Sequence, residues 1–551
     1  MSATGDTARK PLVYRPAHAR LPSAEPHGAE PPATRWIVAP IVALAAFMEV
    51  LDISIANVSL QHIAGSLGAS QDEATWVLTS YLVTNAIVLP ITGWLSAVLG
   101  RKRFYLACIL GFGISSFFCG LAPSLGLLIL FRAIQGLTGG GLQPAAQAIL
   151  ADTFTPAQRG MAFAFYGIAV VFAPAIGPTL GGWITDNYSW HWIFLINVPI
   201  SIGLYFLIDA MIEDPPHLVE ERERLKQQGI KIDYWGFAFL IVGLGALQYV
   251  LDRGQENDWF SDNTITGFAI ASAAGIIAFI VWELRQENPL TDLKLLKNPN
   301  FAVANVMMFL VGFILLGSTQ LIPQFVQSLL GYTATTAGMV LSPGGFSIIL
   351  LMPLVGRLIS RIDARYMIVF GLALSAAALY HMTSFDTDVD YWTVVIARIF
   401  QAAGLAFLFI PISTVAYVGI PREKNNNASA IINLSRNLGG SIGIALLTTF
   451  LARRTQYHRS ILVDHIAAGD HRYDSTAAHM AQHMTSMLGG SPRQAMQMAQ
   501  AQIDLMVNRQ AAMLSYIDDF MLLAILFAGV IPFIFLMKKP PSVHGPGAGG
   551  H

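Results

Sequence analysis

Charge is scarce in this sequence. Only 12% of its 551 residues are Asp, Glu, Lys or Arg, while 54% are hydrophobic. That is about half the charged share of a soluble domain. Lys+Arg is 33 and Asp+Glu is 34, so the formal net charge is −1, and no global field draws nucleic acid or acidic partners. Cysteine is nearly absent. Cys108 and Cys119 alone exclude a disulfide framework and any Cys-based zinc or iron–sulfur site. Residues 1–35 carry no apolar segment like a cleavable signal peptide. No HExxH string and no P-loop lysine motif occur, so the pattern offers neither a zinc hydrolase nor direct use of ATP.

What is present is apolar sequence in excess of what one water-soluble core can bury. Fourteen runs are long enough to cross a bilayer, which takes about 20 residues. They lie near 37–60, 73–97, 104–122, 126–151, 161–184, 191–211, 235–252, 263–284, 300–322, 337–358, 366–385, 391–418, 428–451 and 516–537. Residues 1–35 and 538–551 read as flexible tails. Lys and Arg orient the chain. With the first residue on the cytoplasmic side, that side collects 23 of the 33, from Arg9, Lys10, Arg15, Arg20 and Arg35 to Lys538 and Lys539. The outer side holds seven, six of them in the long 452–515 loop, where the positive-inside rule weakens. Both termini are expected in the cytoplasm.

The sequence repeats itself. Gly93-Trp94-Leu95 with Gly100-Arg101-Lys102-Arg103 is answered by Gly356-Arg357-Leu358 with Asp363-Ala364-Arg365. Arg132-x-x-Gln135 is answered by Arg398-x-x-Gln401. In both copies the glycine loop precedes the Arg-x-x-Gln helix by a similar distance. The expected fold is an all-α membrane protein of two six-helix bundles, 36–211 and 300–537. A linker, 212–299, carries two inserted helices. Parallel repeats of this kind build transporters whose site lies at the midplane between halves.

Further motifs carry a family likeness. They are Leu51-Asp52-x-Ser54-x-x-Asn57-Val58, the Gly93–Lys102 loop, Arg132-x-x-Gln135-Gly136, and Pro174-x-x-Gly177-Pro178-x-x-Gly181-Gly182. Trp190–Pro199, Leu251–Phe260, Gly331–Thr335 and Leu438–Gly443 extend them. Over residues 36–537 the chain resembles the major facilitator superfamily, in its fourteen-span drug:proton antiporters of the EmrB type. The resemblance implies a proton-driven exporter of hydrophobic drugs in the bacterial inner membrane, with no cofactor. It also implies a periplasmic membrane-fusion adaptor and a TolC-type outer-membrane channel as partners. A dedicated exporter of one metabolite or siderophore would share the fold. Two departures stand out: Ala97 where the family loop has Asp, and Gln61 where its first motif ends in Pro.

Ionisable groups inside spans are expensive and mark function by default. Glu49 and Asp52, three apart, share a face of the first span, and either could trade a proton for a lipophilic cation. Arg132 either approaches span 1 and tunes Asp52 or braces its own half; Arg398 suits the bracing role. Arg436 reads as snorkelling near the cytoplasmic edge. Gly93, Gly100 and Arg101 form the gating loop. Pro174, Gly177, Pro178, Gly181 and Gly182 allow close approach and a bend. Polar and aromatic candidates for the substrate cavity are Asn57, Tyr81, Asn85, Gln143, Gln147 and Tyr166, with Phe309, Gln320, Gln324 and Asn433 from the second half. In the outer loop, Ser491-Pro492 looks like a helix start. A Met-lined stretch through Met496, Met498, Ile503, Met506 and Met513 suits docking of a partner helix. His479 and His483 sit at i and i+4 but bring no further metal ligands.

Overall fold

The computed structural model describes residues 32–535 except 229–232, 287–288, 465–470 and 489–490. Residues 1–31 of the first expected tail and all of the second, and with them Arg9, Lys10, Arg15, Arg20, Lys538 and Lys539, lie outside the described residues, as does Lys231. Residues 32–35, expected in the tail, already belong to the helix of the first span. Among the described residues the regular structure is helical, and fourteen helices are long and apolar enough to cross a membrane. All fourteen fall on the runs read from the sequence.

Two groups of six helices meet along a seam. Span 5 (Arg159–Asn187) packs along span 10 (Thr335–Leu358), and spans 2 (Glu73–Leu99) and 4 (Leu125–Thr153) pack on span 13 (Arg422–Asp464). Within the second group, span 9 (Pro299–Ser328) packs against span 13. Spans 7 (Tyr234–Arg253) and 8 (Asn263–Arg285) cross each other at Gly243 and Gly275, where a methyl group on either would collide with the other's backbone. This pair leans on span 2, where the Thr79 hydroxyl donates to the Asp252 carboxylate. Only 17% of span 8's apolar window is buried, against 72% for spans 5 and 12 (Tyr391–Ala416). The inserted pair is therefore peripheral, and its apolar outer face is left to lipid.

The proline–glycine motif of span 5 has a clear mechanical reading. Pro178 has no N–H to offer the carbonyl of Pro174, four residues back. Ser54 of span 1 (Trp36–Val58) supplies a substitute donor, its hydroxyl 3.4 Å from that carbonyl. Span 1 comes close enough because Gly177 and Gly181 present no side chain to Ser54 and Ile55. On the other side of span 5, Thr179 reaches Gly338 of span 10, where an added Cβ would stand 2.7 Å from its amide nitrogen. One segment thus fastens span 1 and spans the seam.

The ends of the bundle differ. At the end bearing the glycine loop, the halves are locked by polar contacts. Buried Arg101 pairs with Asp152 at 2.5 Å and donates from Nε to Asn426 Oδ1 at 2.8 Å across the seam. Asn425 also donates to Asp152. Gly93 lets Asn427 approach, with 3.1 Å from its Cβ direction to the Asn427 Cα. Gly100, at φ 89°, turns the chain so that Lys102 N–H meets Asp214 at 2.7 Å. With Ala97 in the loop, Asp152 supplies the carboxylate for Arg101.

At the opposite end, spans 13 and 14 (Pro492–Ile534) run on as 43-residue helices. About 20 residues cross a bilayer, so each leaves roughly 30 Å of helix at 1.5 Å per residue to project as an arm. Ser491 caps span 14 with a reciprocal capping box and Pro492 at its first turn, as the sequence signalled. Asp518 binds Arg454 (2.5 Å) and His458 (2.7 Å), and Asp504 binds Arg459 (2.9 Å), tying the two long helices together. The expected loop 452–515 is thus largely helical.

Candidate functional site

Span 1 delivers two carboxylates to different surroundings. Asp52, 2% exposed, turns into its own half. Its Oδ2 accepts from Arg132 Nη1 at 2.6 Å, and its Oδ1 from Gln135 Nε2 at 3.1 Å and Asn197 Nδ2 at 2.7 Å. Arg132 also donates to the carbonyl of Val77 (3.1 Å) and lies over the Tyr81 ring at 4.4 Å. Both readings of Arg132 therefore meet in one side chain: it faces Asp52 and braces spans 1, 2 and 4. Asn197 belongs to span 6 (His191–Met211) and so joins the same knot.

Glu49 faces the seam. Its Oε1 accepts from Asn85 Nδ2 at 3.0 Å and Tyr81 OH at 3.4 Å, while its Oε2 is buried with no hydrogen-bond partner. Around it the halves exchange polar contacts. Asn433 Nδ2 donates to Gln147 Oε1 at 2.7 Å. The Tyr166 hydroxyl donates to Asn433 Oδ1 at 3.1 Å and stands 3.4 Å from Gln143 Oε1 and Arg436 Nη1. Arg436 Nη2 donates to Gln143, and Asn437 Nδ2 reaches Asn85 Oδ1 at 3.5 Å. Six of the sequence candidates, Tyr81, Asn85, Gln143, Gln147, Tyr166 and Asn433, thus gather with Glu49 in one buried cluster.

Three candidates sit nearer the arm end. Exposed Asn57 donates to Gln320 Oε1 at 3.2 Å across the seam, and Gln324 is exposed. Phe309 stands apart, half-buried and packed with its backbone against Gly439 inside the second half. Arg398 donates to Gln401 Oε1 at 2.5 Å and Ser318 Oγ at 3.3 Å. Of the motif residues, Gly182 has open room, its nearest neighbour Thr335 Oγ1 at 3.6 Å.

Arg436 departs from its sequence reading. It is buried in the seam rather than snorkelling to an edge. Its signal was available: it lies three residues after Asn433, on the same helical face. Asn437 was missed as well. So was Asp519 of span 14, fully buried with neither carboxyl oxygen hydrogen-bonded. The string Gly439–Gly443 spells GxSxG, but it lies within a continuous helix whose glycines admit the backbone of Phe309 and Phe313. It lacks the strand-to-helix turn that exposes a nucleophile.

In the arm, the Met-lined stretch divides. Met496 packs with Met480 and Met484 around Ala481, Ala495 and Ala499, and Met513 is buried. Met498, Leu505 and Met506 remain on the outside. His479 and His483 share an open groove with Met480, Met484 and Gln502. Among the described residues no three His, Cys, Asp or Glu side chains group to hold a metal ion.

Two six-helix groups with a buried polar seam, a closed end and charged side chains at mid-span define a multi-pass membrane transporter built on an internal repeat. Residues 42–444 match the Major Facilitator Superfamily, and the chain belongs to that superfamily. It is 35% identical over 511 residues to multidrug export protein EmrB of Escherichia coli strain K12, covering 93% of this chain and 96% of that protein. It is 37% identical over 500 residues to EmrB of Haemophilus influenzae, covering 91% and 95%. Among solved structures, a double-Trp mutant of XylE aligns over 93% of this chain and 98% of its own, with TM-score 0.57 at 14% identity. The human organic anion transporter MFSD10 aligns over 90% and 100%, with TM-score 0.55 at 14% identity. These two structures bear on the fold alone.

Proposed function

We propose that the chain is a proton-coupled antiporter that exports hydrophobic drugs and other lipophilic toxic compounds across a bacterial inner membrane. The observation that carries this reading is Glu49: a buried carboxylate in the seam between the halves, with one oxygen unpartnered, amid Tyr81, Asn85, Gln143 and Arg436. The multidrug export relatives support it. Glu49 is the group that exchanges a proton for substrate. As a carboxylate it attracts Arg436 across the seam or a lipophilic cation in its place; as an acid it releases both. Asp52 and Arg132 serve coupling differently, as a fixed pair that holds spans 1, 4 and 6 in register while span 1 moves.

Substrate enters the seam past Gln147, Tyr166 and Asn433 and leaves past Asn57, Gln320 and Gln324. Gly93, Gly100 and Arg101 act as the gate at the cytoplasmic end. Pro174, Gly177, Pro178, Gly181 and Gly182 carry the rocking of span 5 on span 1, with Arg398 bracing the second half. This assigns one half to 36–211 and the other to 300–537, with both termini cytoplasmic, as the Lys and Arg distribution supports. The arm then projects into the periplasm, where Met498, Leu505 and Met506 offer an apolar face to a membrane-fusion adaptor that leads to a TolC-type channel. Unchanged adaptor co-purification after replacing 460–510 with a short Gly/Ser linker would remove that assignment.

The deciding experiment is dye efflux from proteoliposomes under an imposed pH gradient. The parent is expected to expel several unrelated dyes, and Glu49→Gln to lose the response to the gradient. Transport by Glu49→Gln equal to the parent's would refute the coupling role. Transport of a single compound class, unaffected by competing dyes, would favour the dedicated exporter.

A further inference from the structure

The two halves repeat an Arg-x-x-Gln turn, yet only one copy is neutralised. In the first half, Arg132 Nη1 and Gln135 Nε2 converge on the two oxygens of Asp52 at 2.6 and 3.1 Å. In the second, the residue that Arg398 Nη1 reaches on span 9 is Ser318, at 3.3 Å. Ser318 precedes Arg398 by 80 positions, the same separation as Asp52 from Arg132. A hydroxymethyl group stands where the repeat has a carboxylate.

The consequences are visible in the donors. Gln401 Nε2, the counterpart of the amide that binds Asp52, has no partner, and neither has Arg398 Nε. Arg398 makes no ion pair among the described residues, although it is 2% exposed, with Gln401 at 0% and Ser318 at 1%. Guanidinium does not deprotonate in proteins, and a cation at membrane depth faces a counter-charge, a carbonyl or water. Arg398 does not snorkel to an edge: it is 2% exposed and its guanidinium is held on Ser318 and Gln401. Gln401 Oε1 accepts from Arg398 at 2.5 Å, which directs the amide's two N–H bonds away from the arginine.

We propose that Arg398, Gln401 and Ser318 form a carboxylate-binding cradle inside the second half. During the transport cycle it is filled by the carboxylate end of a lipophilic acid or by a small free anion. The cradle supplies a charged fork and a neutral amide donor, the set that suits a carboxylate. The Ser318 hydroxyl beside them donates to the carbonyl of Leu315 at 3.3 Å and marks the place of the missing carboxylate. The assignment rests on the export reading for its substrate class: the chain would handle lipophilic acids as well as the cations that Glu49 attracts. It also gives the two halves separate tasks, one with a built-in carboxylate and one that borrows it.

The test is binding to the purified full-length chain in detergent, in chloride-free buffer, read by thermal unfolding and by titration of octanoate. Octyltrimethylammonium, of equal chain length and opposite charge, controls for partition into micelles. Octanoate is expected to raise the unfolding temperature of the parent. Ser318→Asp, which installs the repeat's own carboxylate, is expected to unfold later than the parent without ligand and to weaken octanoate about tenfold or more, with the cation's effect retained. Gln401→Glu, nearly isosteric and also acidic, is expected to behave likewise, so misfolding of one variant leaves the other to decide. Sodium chloride that reproduces the octanoate effect on the parent, and loses it in Ser318→Asp, would identify the occupant as a free anion. No effect of octanoate or chloride on the parent, or equal octanoate binding by parent and both variants, would overturn the cradle. Dye efflux by the parent reports on the export reading separately, so the two can fail independently.

Discussion

Replacing Asp52 by Asn tests the heart of the first half. The side chain keeps its shape but loses its charge, and one oxygen becomes an NH2. If the oxygen faces Arg132, the new NH2 meets the donors of Gln135 and Asn197, which now give 3.1 and 2.7 Å bonds. If it faces those amides, the NH2 meets Arg132 Nη1, now at 2.6 Å. Either rotamer sets donor against donor and leaves a fully buried guanidinium uncompensated. Breaking a buried pair in this way costs about 3–5 kcal/mol, a factor of about 100 to several thousand in the unfolding equilibrium. The assay is unfolding of the purified chain in mixed micelles, with the double variant Asp52→Asn/Arg132→Met alongside. Removing both charges is expected to recover most of the loss, because no bare guanidinium remains and the Asn oxygen can keep the bonds from Gln135 and Asn197 while its NH2 turns to the vacated side. The reasoning is refuted if the single variant is as stable as the parent, or if the double variant loses the sum of the two single losses.

Other outcomes follow from the same contacts. Gly177→Val is expected to abolish a monodisperse, active product, because Ser54 occupies the space a side chain needs, whereas Gly182→Ala, with 3.6 Å to its nearest neighbour, should be near neutral by size-exclusion profile and dye efflux. Arg101→Ala with Asn426→Ala weakens the lock at the glycine-loop end, leaving the contact of Asn425 with Asp152. An added Asn427→Cys should then react faster with an impermeant maleimide, against low background since Cys108 and Cys119 are buried. Asp262 caps span 8 by accepting from Thr264 N–H (2.5 Å) and Ile265 N–H (3.1 Å), and these bonds hold its carboxyl below the ordinary carboxylate range. A lowered carboxylate stabilises the fold at neutral pH and loses that contribution as pH falls through its depressed value. Protection factors at the start of span 8, corrected for the intrinsic pH dependence of amide exchange, should therefore fall in acid, and Asp262→Ala should show reduced protection that no longer changes with pH in that range.

Periodicity and composition were sufficient for much of the fold. A span needs only its own run of apolar residues, so all fourteen were legible, as were the inserted position of spans 7 and 8 and the Ser491-Pro492 helix start. Pro178 announced a freed carbonyl by chemistry alone. The repeat of Arg-x-x-Gln placed Arg132 and Arg398 at matching depths.

Partnership was decided only by the tertiary structure, because a side chain's neighbour across a helix interface leaves no local trace. Glu49 and Asp52 lie three residues apart, yet one faces the seam and the other a knot of Arg132, Gln135 and Asn197 drawn from two other spans. Arg436 meets Gln143 across 293 residues of sequence and becomes part of the seam. Asp152 takes up Arg101 where Ala97 offers no carboxylate. The sequence by itself determined the spans, their order and their orientation signal, since hydropathy and charge act residue by residue. Which charges are paired, which are bare and which face the seam depends on crossing helices, and that required the fold.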